Sequence, residues 1–450
     1  MDKMVSLMEV LVARDRRVMR QSELIDQYHK PLISFTMNIA GPIKNNSDIK
    51  RGFELGKQIL SRELELSNIK CIHFEEINGT TGNEAFYVLD SEPLEIKRIT
   101  TEIEEMDDLG RLFDLDVIDA SKRKIERHEI GLPERTCLIC GKPAGACARS
   151  RMHTVEELQQ KTAAILKAAI EEEDAKVISE LACRALLYEV CTTPKPGLVD
   201  CNNNGSHKDM DVFTFINSAC ALRPYFETCA RIGRQTDSLP AKETFKRIRQ
   251  EGKRAEYTMF SATKGVNTHK GAIFSMGIVC AALGRLAKEE WAHTELVLNE
   301  CANMAEGIVE ADFQNLKPEN VVTNGQKLYA NYGITGIRGQ AEEGFPAVQL
   351  CGFPVFMKGI EMGKSINESG CAALMAIMTA AVDTNLIARS DVYTQRQVVD
   401  EVGAMLQENP YPEREVLEAL DHQFIEKNLS PGGSADLLAI CYLLYFLRNE

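Results

Sequence analysis

The sequence has no apolar run approaching the ~20 residues that a membrane-spanning helix needs, so none of its helices is expected to cross a bilayer. It is short of positive charge: 52 Lys and Arg face 66 Asp and Glu, for a net charge of −14. Generic nucleic-acid and anionic-membrane binders need a basic surface, and this chain lacks that balance. Local lysines or bound magnesium can still hold an anionic substrate. Internal repeats and low-complexity tracts are absent. The opening residues carry no secretory signature, so the expected compartment is the cytoplasm. There the fourteen cysteines stay mostly reduced. Cys183, Cys191, Cys280 and Cys371 lie in apolar helical stretches and read as small core residues.

What is present divides the 450 residues into two domains, each with its own core. The expected fold is an N-terminal α+β domain followed by a larger all-α domain. Residues 4–30 have apolar positions at helical spacing. Residues 32–39 alternate as a half-buried strand does. Residues 71–77 and 85–89 are strands around a turn-rich connection, and Val117–Ile118 end another. The first domain is placed at 1–155. Residues 156–177, rich in Glu, Gln, Lys and Ala, read as an exposed helical linker. From 178 to 450 the strand signal vanishes. Helical runs are expected at 178–192, 212–232, 271–288, 293–310, 369–387 and 433–448.

Two segments of the first domain carry chemistry. In Gly110-Arg-Leu-Phe-Asp-Leu-Asp-Val117, Asp114 and Asp116 stand two apart on a strand and share a face. Paired carboxylates suit magnesium on a pyrophosphate leaving group, and Arg111 can meet phosphate. A solvated strand edge is the plain alternative. In the second segment, Cys137, Cys140, Cys147 and His153 have the donor set of a structural zinc site. The interval from Cys140 to Cys147 is shorter than in familiar zinc modules, so free thiols beside a basic, anion-binding surface are the favoured reading. Arg149 and Arg151 complete that surface.

The second domain has the denser constellation. Pro194–Asp211 holds Lys195, Asp200, His207, Lys208, Asp209 and Asp211 with almost nothing that fills a core. It reads as a loop folded around a charged ligand, with Met210 anchoring it and Asp209 and Asp211 in extended backbone. Gly265–Ala272 places Lys270 at the start of an apolar helix, where backbone N–H groups favour phosphate. No Walker A loop is present. Tyr332–Pro346 surrounds Arg338 and Glu342 with glycines, Asp383–Arg389 sits at a helix end, and Ser430–Asp436 opens the last helix. Ser434 reads equally as a helix cap, and Asp436 as a complement to the helix dipole. Glycine-rich turns bearing isolated acids and bases at helix ends describe a polar cavity between helices.

Leu11–Asp15 with Arg20-Gln21, Thr36–Pro42, Gly110–Val117, and Cys137–Cys140 through Arg149–His153 together resemble the apo-citrate lyase phosphoribosyl-dephospho-CoA transferase family. The second-domain motifs resemble the triphosphoribosyl-dephospho-CoA synthase family along about 178–448. The second resemblance implies that ATP and 3′-dephospho-CoA give 2′-(5″-triphosphoribosyl)-3′-dephospho-CoA and adenine. The first implies transfer of the phosphoribosyl-dephospho-CoA group to a serine of the citrate lyase acyl carrier protein subunit, with pyrophosphate released. Consecutive steps in one chain point to a fused, bifunctional transferase. Its partners are expected to be that carrier and small nucleotides, with no nucleic acid or membrane. Magnesium is the expected cofactor.

Displacing adenine from ribose builds positive charge on the ring, as glycoside cleavage does. The site needs a carboxylate, a base, a proton donor and cations for the triphosphate. Asp200, Asp209, Asp211, Glu342 and Asp383 are candidate carboxylates, and His207 a proton carrier. Lys195, Lys208, Lys270, Arg338 and Arg389 are candidate phosphate ligands. Three other readings compete. One is a metal-dependent ribosyl hydrolase related in chemistry to ADP-ribosylglycohydrolases. Another is a zinc-stabilised assembly factor without activity. In the third, the acceptor is the carrier of malonate decarboxylase.

Overall fold

A computed structural model describes residues 3–314, 316, 321 and 323–448. It divides into two compact units, residues 1–172 and 173–450.

The first unit opens with α1 (Leu7–Tyr28), capped by Ser6 and Glu9 reciprocally. Next come β1 (Leu32–Met37), α2 (Ser47–Leu66), β2 (Lys70–Gly79), β3 (Gly82–Asp90), α3 (Pro93–Met106), β4 (Phe113–Ile118) and α4 (Ala144–Ser150). The four strands form one antiparallel sheet in the order β2-β3-β1-β4. One sheet face, with Ile33, Phe35, Leu115 and Val117, packs on Phe53, Leu60, Ile96 and Ile103 of α2 and α3. The other face meets Leu24 and Ile25 of α1 through Leu32, Phe86 and Val88. β1 is therefore buried along Leu32–Thr36, not half-buried as its alternation suggests. Helices cover both of its faces. On the α1 side its polar positions are engaged, and Ser34 accepts a hydrogen bond from Gln21 at 2.9 Å.

Helix α5 (Val155–Cys191) carries the chain from the first unit into the second. The segment expected to be exposed buries Ile165, Leu166 and Ile170. The first two belong to the core of the sheet unit, while Ala175 and Ile178 belong to the core of the second.

Among its described residues the second unit has helices and connecting loops and no strand. It comprises α6 (Val212–Gln235), α7 (Ala241–Ala262), α8 (Lys270–Arg285), α9 (Thr294–Ala305), α10 (Ile308–Phe313), α11 (Asn324–Tyr332) and α12 (Ile337–Glu342). A π-helical turn, Ala347–Gly352, leads into α13 (Phe353–Glu361). Last come α14 (Ile366–Ala380), α15 (Thr384–Arg389), α16 (Val392–Glu408), α17 (Arg414–Glu426) and α18 (Gly432–Leu447). α8, α14 and α18 are apolar almost all round and make the centre of the core. The runs expected at 293–310 and 369–387 are each broken in two. Gly307, at φ +77, stops the first, and Asp383 caps a new helix in the second. α6 and α8 cross at glycines. A Cβ on Gly233 would lie 2.1 Å from the Ala281 carbonyl oxygen, and one on Gly284 would lie 2.0 Å from that of Ala230. Cys183, Cys280 and Cys371 are buried as expected, but Cys191 is exposed at the end of α5. No helix among the described residues is long and apolar enough to cross a membrane.

Candidate functional site

In the sheet unit the antiparallel register sets Thr36 opposite Asp114 and Ser34 opposite Asp116. Both aspartates therefore stand on the α1 face of β4. They are not equivalent. Asp116 is held by Lys124 at 2.6 Å. Asp114 lines a cavity of about 100 Å³ together with Arg14 and Arg17 of α1, Thr36, Asn38 and Lys44. Burial, reinforced by the neighbouring Asp116, raises the Asp114 carboxyl above its ordinary value. Burial, with Arg14 nearby, lowers the Lys44 ammonium. Arg17 is braced by Glu84 at 2.8 Å. A carboxylate faced by several cations at a half-open cavity can receive a polyanion. Arg14, Arg17 and Lys44 were not singled out from the sequence, although Arg14 and Lys44 lie within or beside the segments quoted there.

Arg111, expected at phosphate, instead donates to the Thr136 carbonyl. Arg135 donates to the carbonyls of Phe113 (2.9 Å) and Arg111 (3.0 Å) and stands 4.0 Å from Asp114. Arg149 and Arg151 are exposed on and just after α4. The ligand atoms of Cys137, Cys140, Cys147 and His153 all lie within 4.8 Å of one another.

In the helical unit the loop expected to wrap a ligand is folded largely around its own polar groups. Asp200 accepts backbone N–H bonds from Lys195 (2.9 Å), Asn202 (2.7 Å) and Asn203 (3.1 Å). His207 is clamped between Ser430 (2.9 Å) and Arg389 (3.0 Å). Arg389 also donates to the Ser206 carbonyl, so its guanidinium ties the loop to α15. Burial, with Arg389 beside it, lowers the His207 imidazole, which is therefore neutral. Asp209 and Lys208 are exposed, and Met210 is buried against Val190 and Val199. Asp211 has extended backbone, but its carboxylate caps α6, accepting from the Thr214 N–H (2.8 Å) and hydroxyl (2.6 Å). Glu342, expected near the ribose, caps α10 by accepting from Gly307 and Val309. These geometries give Asp200, Asp211, Glu342 and Arg389 structural employment.

What the motifs build together lies deeper. Lys195 and Glu189 form a buried ion pair. Asp383 accepts four bonds, from the N–H groups of Asn385, Leu386 and Ser434 and from the Ser434 hydroxyl. Asp436 accepts the Ala272 N–H, and a Cβ on Gly271 would meet its carboxylate at 1.9 Å. Only a glycine at the start of α8 allows that approach. Glu189 and Asp383 each lie within electrostatic reach of Asp436, and Asp200 within reach of Glu189. Desolvation raises all four carboxyls, Asp436 well above the usual carboxylate range. Asp436 still keeps part of its surface open. His269 is buried alongside, its Nδ1 on the Ser218 hydroxyl at 2.8 Å and its Nε2 without a partner. Burial, with Lys195 adding to it, lowers this imidazole to about 3. Three buried acids and the partly open Asp436 thus surround one buried lysine and a neutral histidine. Glu189 is paired with Lys195, and Asp200 and Asp383 are each met by several donors, which leaves Asp436, with one backbone donor, as the least compensated of the four.

The first turn of α8 has a second face. Lys270 lines a cavity of about 190 Å³ with Arg249, Lys253, Glu256, Phe274, Asp312 and Arg338. Asp312 holds Arg249 and Arg338, each at 2.6 Å, and Glu256 holds Lys270 at 2.9 Å. Four basic groups over two acids leave positive charge for an anion. Two sequence-predicted phosphate ligands, Lys270 and Arg338, are brought together here.

Sequence reasoning missed Glu189 and His269 and undervalued Asp436. The signal for Asp436 was available: it is the only charged residue in a sixteen-residue helix, Gly432–Leu447.

Residues 175–450 match the family described as ATP:dephospho-CoA triphosphoribosyl transferase, and residues 5–169 match the apo-citrate lyase phosphoribosyl-dephospho-CoA transferase family. Protein CitXG of Haemophilus influenzae is 34% identical over 466 aligned positions, covering 99% of this chain and 97% of the relative. Protein CitXG of Leuconostoc mesenteroides subsp. cremoris is also 34% identical, over 98% and 97%. The 2-(5''-triphosphoribosyl)-3'-dephosphocoenzyme-A synthase of Haemophilus ducreyi is 38% identical over 69% of this chain and 98% of its own length.

Proposed function

Because the chain belongs to the triphosphoribosyl-dephospho-CoA synthase family over its second unit and to the apo-citrate lyase phosphoribosyl-dephospho-CoA transferase family over its first, we propose that the two sites just described divide the two reactions between them. The protein is a bifunctional transferase that makes and attaches the citrate lyase prosthetic group. ATP and dephospho-CoA are substrates of the synthase step.

We assign that step to the carboxylate cluster at the head of α8. The observation that carries the assignment is Asp436, a deeply seated but still accessible acid with a raised carboxyl and a single backbone donor. A carboxylate there stabilises the positive ribose ring as adenine leaves. A raised carboxyl can also exchange a proton near neutral pH, either with the departing purine or with the attacking 2′-hydroxyl. Magnesium fits the surplus of buried acids and would be held by Asp436 and its neighbours. When bound, it supplies charge for the triphosphate. Lys270, Arg338, Arg249 and Lys253 draw the polyphosphate toward the basic cavity. Glu189 and Lys195 hold the loop, and Asp383 fixes the start of α18 through Ser434.

The transfer step we assign to Asp114, with Arg14, Arg17 and Lys44 receiving the pyrophosphate end of the intermediate. The acceptor is a serine of the citrate lyase acyl carrier protein. A cytoplasmic location accords with these substrates. The test follows product by product, with adenine release measured against ATP and dephospho-CoA, and carrier mass measured with preformed intermediate. Asp436→Asn should stop the first and spare the second. Loss of carrier modification alone would overturn the assignment.

A further inference from the structure

We propose that the first unit carries a structural zinc ion on Cys137, Cys140, Cys147 and His153, and that this ion holds Arg135 beside Asp114. Neither reaction accounts for these four residues.

The geometry is that of a metal knuckle. Thr136 bridges Pro143 in antiparallel fashion, closing a six-residue loop, Cys137–Lys142. The Cys137 N–H donates to the Lys142 carbonyl (2.6 Å), and the Gly141 N–H donates to the Cys137 carbonyl (3.2 Å). Gly141 has φ +70, which lets the chain reverse directly after the second cysteine. The Ile139 N–H points at the Cys137 sulfur at 3.5 Å, as backbone donors do toward a thiolate carrying metal. Cys147 arrives from α4, with its sulfur 3.4 Å from that of Cys140. A tetrahedral site with Zn–S bonds of ~2.3 Å sets its ligands about 3.8 Å apart, and here all four donors lie within 4.8 Å of one another. A second observation is independent of the cysteines: His153 Nε2 is buried without any hydrogen-bond partner. Such a nitrogen is costly to leave bare and has the lone pair a metal takes. Three thiolates, a neutral imidazole and Zn²⁺ sum to one negative charge, and metal binding releases the thiol protons.

The knuckle also has a mechanical role. Its first strand supplies Thr136, whose carbonyl receives Arg111, and Arg135, which grips the carbonyls of Arg111 and Phe113. Those bonds fix the start of β4, the strand that carries Asp114. Arg135 is a positioning residue in this arrangement. Without metal, a hairpin with so small an apolar content has little to hold it, and the grip on β4 loosens.

The test uses the full chain, purified under reducing conditions without chelator. Elemental analysis should give about one zinc per chain, and X-ray absorption should give sulfur neighbours at ~2.3 Å. Cys140→Ser and Cys147→Ser should each lose the metal. Carrier modification from preformed intermediate should fall about 10-fold or more, while adenine release by the second unit persists and circular dichroism of the full chain keeps its wild-type strand and helix content. Cobalt reconstitution of the wild type, read as thiolate-to-metal charge transfer, reports the same ligands without a variant. Protein free of zinc with all four residues present would overturn the proposal. So would an intact mass showing a Cys140–Cys147 disulfide in the active enzyme, or variants that retain stoichiometric metal.

Discussion

The two units handle related phosphorylated sugars with opposite arrangements of charge. The sheet unit places one raised carboxyl, Asp114, among Arg14, Arg17 and Lys44 at a half-open cavity. The helical unit buries Glu189, Asp200 and Asp383, with the partly open Asp436, around a single lysine and moves its other cations to a neighbouring cavity. The first site carries its own counter-charge. The second keeps its cations apart from its acids. Burial explains the difference. Strand side chains alternate outward and can gather surface arginines, whereas an acid at the head of an apolar helix has only backbone donors to meet it.

The sharpest way to break this comparison is Asp436→Asn. Adenine release should fall by about 10²–10⁴-fold, the range for a lost acid–base group, while transfer from preformed intermediate continues. Equal damage to both steps would mean that the two sites are not independent. Next, Asp114→Asn should lower carrier modification far more than Asp116→Asn, because Asp116 is already spent on Lys124 at 2.6 Å. Equal losses, measured by carrier mass over time, would return the pair to a shared magnesium site.

A third prediction concerns pH. His269 is lowered from its ordinary 6.5 to about 3 by burial. The folded form therefore binds fewer protons than the unfolded chain at any pH between these values. Stability from this group is complete above pH 6.5 and is lost as pH falls from there toward 3. The slope is about 1.4 kcal/mol per pH unit. Urea midpoints from pH 7 to 5 should decline in the wild type and flatten in His269→Gln. An unchanged slope would show that His269 is protonated when folded. The smallest effect is expected at Asp211→Ala: about 1 kcal/mol of stability from the lost cap, with adenine release retained. Loss of turnover without loss of stability would return Asp211 to the chemistry.

Much of this was legible in the sequence. Period-two and helical spacings gave β1 to β4 and the change to helices near 178, and the motifs include Asp114 at one proposed site and Lys270 and Arg338 beside the other. Three motif positions take hydrogen-bonding roles within the fold for one cause. Asp200, Asp211 and Glu342 carry carboxylates near helix or turn ends, where capping and ligand binding select the same residues. Sequence cannot separate the two uses, since the difference is where the carboxylate points. His269 was hidden because its neighbours Lys270 and Gly271 carried the louder signal. Burial of Ile165, Leu166 and Ile170 in an otherwise charged helix was diluted by the Glu and Lys around them.

The glycine crossing of α6 and α8 turns these two helices into a pair of levers. Their backbones touch near Gly233 and Gly284, while their opposite ends hold Ser218 and the Lys270–Ala272 turn. From Gly284 back to Gly271 is thirteen residues, roughly 20 Å of helix at ~1.5 Å per residue. A single methyl group forced into the pivot must tilt one rod against the other, and a small angle there becomes a large sweep at the far end. Asp436 would then lose its donor, Ala272, through an insertion that no substrate ever meets.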